Sequence, residues 1–275
     1  MTATATATAT LAPSTTSDAS ITDQPTSAAI QLGALVKRNL RTTARVPQLL
    51  MFSLTMPMAM LILFSQVFRS VGDSPNFPAG VSYIDFITPA MLAVATVMAG
   101  TNVGVAAAID HTNGIHDRFR TLAMPRALPG IARTMNEMVF TVARAALLVG
   151  AAALLGFRFH GGPIDILAGL LVLMTLAGAM SALFGRIGDH LRRPDVVQFA
   201  GMMVMMPFMF VSSAFAPLDT MPGWMQAVAN GNPVNHATDA LRGAVLGTTS
   251  TGDVVAALVA AAAMWALVSA IPSKR

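Results

Sequence analysis

The segment 114–126, GIHDRFRTLAMPR, concentrates charge in a chain of which only 11% of the residues are charged. Its arginines can form forked hydrogen bonds to carboxylates, which suits them to binding an acidic surface on another protein. The segment therefore predicts a docking element for a soluble partner. A basic loop without a partner is the alternative. The residues concerned are Gly114, Asp117, Arg118, Arg120, Pro125 and Arg126.

The chain lacks the residues that would bind ATP or a metal ion by themselves. It has two lysines, Lys37 and Lys274, and neither follows a glycine-rich turn, so the phosphate-binding P-loop is absent from the sequence. There is no cysteine, and the five histidines show no paired spacing. No catalytic residue and no metal ligand are therefore predicted.

The composition indicates that most of the protein surface faces lipid. Hydrophobic residues make up 54% of the sequence, and the charged fraction lies far below the roughly 25% typical of a soluble domain. The 17 basic residues fall in short clusters beside apolar runs. This pattern is typical of membrane orientation and does not favour nucleic-acid binding.

Six apolar segments are long enough to cross a bilayer, which requires about 20 helical residues. They cover 48–68, 86–109, 138–157, 166–185, 196–216 and 254–271. Pro57, Pro89 and Pro207 lie inside these segments and predict local kinks. Residues 1–27 are of low complexity and predict a disordered tail, which leaves 28–275 as one transmembrane domain.

The basic residues also predict the orientation of the spans. Most of them lie before the first span, after the second, after the fourth and at the C-terminal end. The positive-inside rule places these parts, and hence both termini, in the cytoplasm. The predicted fold is an all-α integral membrane protein with six transmembrane helices. Because the spans contain no carboxylate for a coupling ion, the protein is either passive or driven by another chain.

The segment AAIQLGALVKRNLRTTARVP precedes the first span and has two faces. Its apolar residues can share one helical face, while Lys37, Arg38 and Arg41 point toward the other. This pattern predicts a helix lying in the membrane interface, in contact with lipid. A basic lead-in to the first span is an equally good interpretation.

Three motifs carry a resemblance to a known family. They are GIHDRFRTLAMPR (114–126), GFRFHGG (156–162) and PLDTMPGWMQAVANGNPVNHATDALRGAVLG (217–247). Their order, together with the interfacial helix and six spans, resembles an ABC-2-type exporter permease, and within that family the actinobacterial daunorubicin-resistance (DrrB-like) branch. The resemblance covers about residues 30–271.

The resemblance implies a coupling interface and several partners. The loop after the second span would dock into a separate ABC ATP-binding subunit, which would bind the ATP and Mg²⁺ that this chain cannot hold. The interfacial helix would contact the same subunit through Lys37, Arg38 and Arg41. A second permease, identical or homologous, would complete a dimer that encloses the transport path.

The resemblance also implies an external gate before the last span. Short helices would dip back into the outer leaflet and break at Asn232 and Pro233, with Arg242 and Asp239 on the side facing water. The alternative is an interfacial loop anchored by Trp224.

Two further residues are candidates for the substrate path. Arg144 is the only charge within a span, and it either reaches the headgroups or a structural partner, or faces the bundle interior near an acidic lipid or substrate group. Met206 belongs to the methionine-rich run GMMVMMPFMF. Lipid-facing or packing roles are the default interpretation of that run, and a greasy substrate path is the alternative.

The sequence therefore predicts a non-catalytic permease subunit of a bacterial ABC exporter in the plasma membrane, with antibiotic resistance or lipid transport as the family's themes. A hydrophobic or amphipathic substrate, drug-like or a complex lipid, follows from the resemblance. A membrane-embedded enzyme, or a passive channel or scaffold without an ATPase partner, are the alternatives.

Overall fold

A computed structural model of the protein describes residues 27–45, 47–71, 81–113, 125, 128–213 and 222–270. Within these ranges the regular structure is helical. The helices are α1 (Ala28–Ala44), α2 (Pro47–Val67), a 3₁₀ turn (Arg69–Val71), α3 (Tyr83–Thr112), α4 (Leu128–Leu154), α5 (Pro163–Leu191), α6 (Pro194–Phe210), α7 (Gly223–Asn230), α8 (Pro233–Leu246) and α9 (Thr251–Ala270).

Four helices are long and apolar enough to cross a membrane, namely α3, α4, α5 and α9. Helix α2 contributes a shorter apolar stretch, Met51–Val67, and α6 has 17 residues. The all-helical prediction is confirmed for the described residues. Six crossings and cytoplasmic termini stay predictions, and residues 214–216 of the fifth predicted span lie outside the described ranges.

Helix α3 forms the centre of the bundle. Ser82 caps its first turn by accepting a hydrogen bond from the Asp85 backbone N–H at 3.4 Å, and the hydroxyl of Ser82 donates to the Asp85 carboxylate at 2.9 Å. Side chains on all sides of α3 are buried, as expected for a helix that is apolar around its whole circumference. Its neighbours are α2, α4, α5, α6 and α8.

Glycines allow α3 and α5 to cross at close range. A Cβ atom on Gly104 would lie 2.5 Å from the Phe184 carbonyl oxygen, and one on Gly188 would collide with the Gly104 carbonyl oxygen. A Cβ atom on Gly100 would lie 2.8 Å from Cβ of Met180. In membranes the hydrophobic effect does not drive helices together. Close packing of the helices does so instead, and small residues permit it by letting the two backbones touch.

Helix α4 begins earlier than the predicted third span. The apolar pattern predicts a start at residue 138, whereas the helix starts at Leu128. The additional turns pack against α1 and α3, and their polar residue Arg133 pairs with Asp110 on α3. These turns are therefore stabilised by protein contacts and not by an apolar face toward lipid. A hydropathy pattern detects only the part of a helix that lies in lipid, which explains the difference.

Helices α7 and α8 form a broken pair ahead of α9. The break falls at Gly231 and Asn232, and Pro233 is the first residue of α8. The Asn232 side chain caps α8 by accepting from the Val234 N–H at 2.9 Å. Helix α8 then packs among α3, α5 and α9, so it belongs to the bundle and does not lie on its surface.

Candidate functional site

A polar layer joins three helices next to the predicted coupling loop. Arg133 on α4 donates to the Asp110 carboxylate on α3 at 2.5 Å. One residue further along α3, Nε2 of His111 lies 3.3 Å from the Asp189 carboxylate on α5. Because α3 ends at Thr112, these contacts fix the helix end from which the loop departs.

Only Pro125 of the predicted coupling loop falls within the described residues, where it is exposed and accepts a hydrogen bond from the Leu128 N–H at 3.1 Å. The others lie outside these ranges: Gly114, Asp117, Arg118, Arg120 and Arg126. What the structure describes is therefore the two flanks of the loop, at the end of α3 and the start of α4.

Helix α1 lies against α4 close to the same layer. Lys37, Arg38 and Arg41 are exposed, as the two-faced pattern predicts. Arg38 and Asn39 line a small crevice together with Asp110, Pro129 and Arg133. The basic face of α1 and the flanks of the loop therefore lie in one region of the molecule.

Arg144 has a structural partner on its own helix. Its guanidinium donates to the carboxylate of Glu137, two turns earlier, and the two residues are 8% and 7% exposed. Of the alternatives for Arg144, the structure shows the paired one, directed to the interior of the bundle. The sequence did not identify Glu137 as the partner because it lies just outside the predicted span 138–157.

Arg242 is largely covered by a ring from another helix. Its guanidinium lies 3.8 Å from the centroid of the Phe86 ring on α3, and 15% of its side chain is exposed. It donates to the Ser213 carbonyl at 2.9 Å and to the Asp239 carboxylate at 3.2 Å. Burial lowers the pKa of Arg242 to about 10, so the group stays charged at neutral pH. The sequence pattern does not reveal this contact because Phe86 lies on a helix that is distant from Arg242 in the chain.

Asn232, at the break between α7 and α8, contacts the C-terminal end of α6. The amide of Asn232 is 6% exposed and donates to the carbonyls of Phe208 at 2.9 Å and Val211 at 2.7 Å. The last carbonyls of a helix have no partner within it, so Asn232 satisfies two groups at the end of α6. Asn235 adds a bond by accepting from the Ser213 N–H at 2.7 Å.

A second set of contacts, which the sequence does not predict as a site, joins the loop between α4 and α5 to α3 and α8. The Asp85 carboxylate accepts from the Arg158 N–H at 2.9 Å, and the His160 N–H donates to the Val245 carbonyl at 2.9 Å. A Cβ atom on Gly161 would collide with the Ala244 carbonyl oxygen. The motif GFRFHGG therefore attaches the loop between α4 and α5 to α3 and α8, and its paired glycines were the available signal.

Met206 lies on the exposed face of α6, with 55% of its surface accessible, beside Met202 and Met203. It therefore points away from the bundle interior of this chain. In the described ranges no group of three or more histidine, cysteine or acidic residues could hold a metal ion. The acidic residues have separate contacts, including Arg133 for Asp110 and Thr249 for Asp165.

Comparison of the sequence with known proteins identifies the family of this chain. The family model of ABC-2 type transporters matches residues 30–246, which include most of α1 and all of α2 to α8. The chain is 33% identical over 215 residues to the daunorubicin resistance ABC transporter permease protein DrrB1 of Streptomyces coeruleorubidus, covering 77% of this chain and 74% of that protein.

Two further relatives are more distant. The probable doxorubicin resistance ABC transporter permease protein DrrC of Mycobacterium tuberculosis is 27% identical over 68% of this chain and 67% of its own length. The putative transport permease ycf38 of Pyropia yezoensis is 25% identical over 77% of this chain and 72% of its own length. With the family match spanning most of the chain and the membrane-length helices present, this integral membrane protein belongs to the ABC-2 type transporter family of permeases.

Proposed function

We propose that the chain is the transmembrane permease subunit of a bacterial ABC exporter in the plasma membrane. The observation that carries this proposal is the family match over residues 30–246, in a sequence that has no P-loop of its own. ATP and Mg²⁺ are bound by a separate ATP-binding subunit. The transmembrane domain spans 28–275, crosses the membrane six times and leaves both termini in the cytoplasm, with 1–27 as a tail.

The substrate is a hydrophobic or amphipathic molecule, either drug-like or a complex lipid, that leaves the cytoplasm or the inner leaflet. Two relatives named above are resistance permeases, for daunorubicin and for doxorubicin. Both of these drugs fall within that substrate class. The apolar helices agree with such a substrate because they offer it few polar contacts.

The coupling loop receives force from the ATP-binding subunit. Its residues Gly114, Asp117, Arg118, Arg120, Pro125 and Arg126 contact that subunit, together with Lys37, Arg38 and Arg41 of α1. The polar layer supports this proposal because Asp110–Arg133 and His111–Asp189 connect the flanks of the loop to α3, α4 and α5. A displacement of the loop therefore moves three helices together.

The substrate path lies between this chain and a second permease, identical or homologous. We place Met206 on the side of that path because α6 exposes it. Arg144 contributes its charge from inside the bundle, behind the surface that lines the path. Asn232, Pro233 and Arg242 form the external gate of the path. The hydrogen bonds from Asn232 to the end of α6 support a gate in which α6 and α8 move together.

Affinity purification in mild detergent tests the central proposal. The tagged full chain is purified from native membranes, and co-purifying proteins are identified by mass spectrometry. We expect an ATP-binding subunit with the wild type and its loss with the double variant Arg118→Glu, Arg120→Glu. The variant Arg69→Glu, which reverses an exposed charge on the predicted external side, is the matched control and should retain the subunit.

The outcomes separate the candidates. Loss of the subunit with the loop variant alone supports both the exporter and its coupling loop. Retention in both variants contradicts the coupling role of Arg118 and Arg120. If the wild type brings down no ATP-binding subunit, the proposal fails, and a passive channel or a membrane-embedded enzyme takes its place.

A further inference from the structure

A small cavity lies between α3 and α4 beside the paired Arg144. It is lined by Leu92, Ala95, Thr96, Thr141, Arg144 and Ala145. The space open to the centre of a water molecule is about 10 Å³, which is close to the volume needed for one water. The lining is mixed, since three of its residues carry polar side chains.

Two of the residues that line this cavity each carry a buried polar atom without a partner. Nε of Arg144 and Oγ1 of Thr141 have no hydrogen-bond partner among the described residues. Thr141 is 2% exposed and Arg144 is 8% exposed. The two residues stand three positions apart on α4, which places their side chains next to each other on one helix face. Polar groups buried this deeply are nearly always paired, with protein or with ordered water.

Thr96 supplies a third polar group from the opposite helix. Its hydroxyl donates to the Leu92 carbonyl at 2.8 Å, so its oxygen can still accept a hydrogen bond. The cavity therefore offers one donor in Arg144, one donor and acceptor in Thr141, and one acceptor in Thr96. Buried water molecules typically make two to four hydrogen bonds, which this set provides.

We propose that the cavity binds one ordered water molecule, which accepts from Nε of Arg144 and donates to Oγ1 of Thr141 and to Thr96. The guanidinium then has Glu137 on one nitrogen and water on another, so its charge is solvated inside the bundle. Thr141 is a positioning residue: its hydroxyl holds this water next to the guanidinium of Arg144. The proposal goes beyond the proposed transport function and does not depend on it.

The variant Thr141→Val should change Tm in opposite directions for a hydrated and a dry cavity, and Thr141→Ser is its control. In a hydrated cavity, Thr141→Val removes a partner of the water, and we expect Tm of the full chain in lipid nanodiscs to fall by about 2–4 °C. Thr141→Ser keeps the hydroxyl and should stay close to the wild type. In a dry cavity, Thr141→Val replaces an unpaired hydroxyl by a methyl group and raises Tm or leaves it unchanged. A Tm for Thr141→Val at or above that of the wild type overturns the proposal.

A double-mutant cycle separates the water from a purely local effect of Thr141. Arg144→Lys retains the charge that pairs with Glu137 but lacks Nε. We expect the Tm loss of Thr141→Val to shrink strongly in the Arg144→Lys background. An undiminished loss in that background overturns the proposal.

A density map of the wild-type protein, from crystallography or electron cryo-microscopy, gives a second and direct test that does not depend on the folding of a variant. At a resolution that shows ordered water, we expect a peak within hydrogen-bonding distance of both Arg144 Nε and Thr141 Oγ1. A cavity without such a peak overturns the proposal.

Discussion

Arg144 and Glu137 show how a buried charge is accommodated in a helix long and apolar enough to cross a membrane. A lone charge within a bilayer is costly, and ionisable residues in spans therefore pair or face a polar interior. Arg144 does so within α4, by reaching back two turns to Glu137. Side chains on a helix lean toward its N-terminus, so a long arginine is well placed to contact an earlier residue on the same face. The pair needs no contribution from another helix.

The pair is expected to contribute to stability through its burial. We predict that Glu137→Ala, which leaves Arg144 charged and unpaired, destabilises the protein by about 3–5 kcal/mol. Combining it with Arg144→Met should restore much of this loss, because no buried charge then remains. The measurement is Tm of the full chain in detergent or nanodiscs.

The exposed pair between Arg193 and Asp195 is a matched control: its N–O distance is 2.8 Å, and its side chains are 70% and 65% exposed. Removing the carboxylate by Asp195→Ala should leave Tm unchanged. Equal effects of Glu137→Ala and Asp195→Ala would show that burial does not distinguish the two pairs.

At the scale of elements, the crossing of α3 and α5 depends on glycine. We predict that Gly188→Ala destabilises the protein by about 1–3 kcal/mol, because its Cβ atom would collide with the Gly104 carbonyl oxygen, which cannot rotate away. Gly150→Ala on α4 is the control, since no heavy atom lies within 4 Å of its Cβ position. That variant should be neutral or gain roughly 0.5–1 kcal/mol from helix propensity. A neutral Gly188→Ala variant in thermal unfolding would argue against the close crossing.

The junction of α6 with α8 makes a second prediction about elements. Asn232→Ala removes the cap of α8 and both bonds to the end of α6, so we expect faster amide hydrogen exchange in residues 208–213 and reduced substrate export. Asn230→Ala changes an exposed amide two residues away and should leave exchange unchanged. Exchange rates that respond equally to both variants would contradict the role of Asn232.

The elements were easier to predict than their contacts. The apolar runs fall on the observed helices because lipid selects continuous hydrophobic residues. The start of α4 at Leu128 could not be read in this way, since its first turns are stabilised by packing and by the ion pair between Asp110 and Arg133. The position of Arg242 depends on Phe86, which the fold brings together with it and the sequence pattern does not.

On the scale of the whole molecule, apolar side chains cover the outside of the bundle. Large hydrophobic residues are exposed on several helices, including Phe52 on α2, Phe199 on α6 and Leu267 on α9. A soluble monomer rarely exposes so extensive an apolar surface, whereas lipid or a second permease covers it without cost. The molecule is therefore built around α3, with an outer surface suited to an apolar environment.

The orientation of this bundle in the membrane is the last prediction. The chain has no cysteine, so an introduced single cysteine is the only site in it that a maleimide can label. Ser27→Cys, Asn113→Cys and Ser250→Cys each replace an exposed residue near a helix end. If the clustered basic residues lie in the cytoplasm, a membrane-impermeant maleimide added to intact cells should label only the Ser250→Cys variant. The other two should react only after permeabilisation. Labelling of Ser27→Cys or Asn113→Cys from outside would reverse the predicted topology, and with it the placement of the coupling loop beside a cytoplasmic ATP-binding subunit.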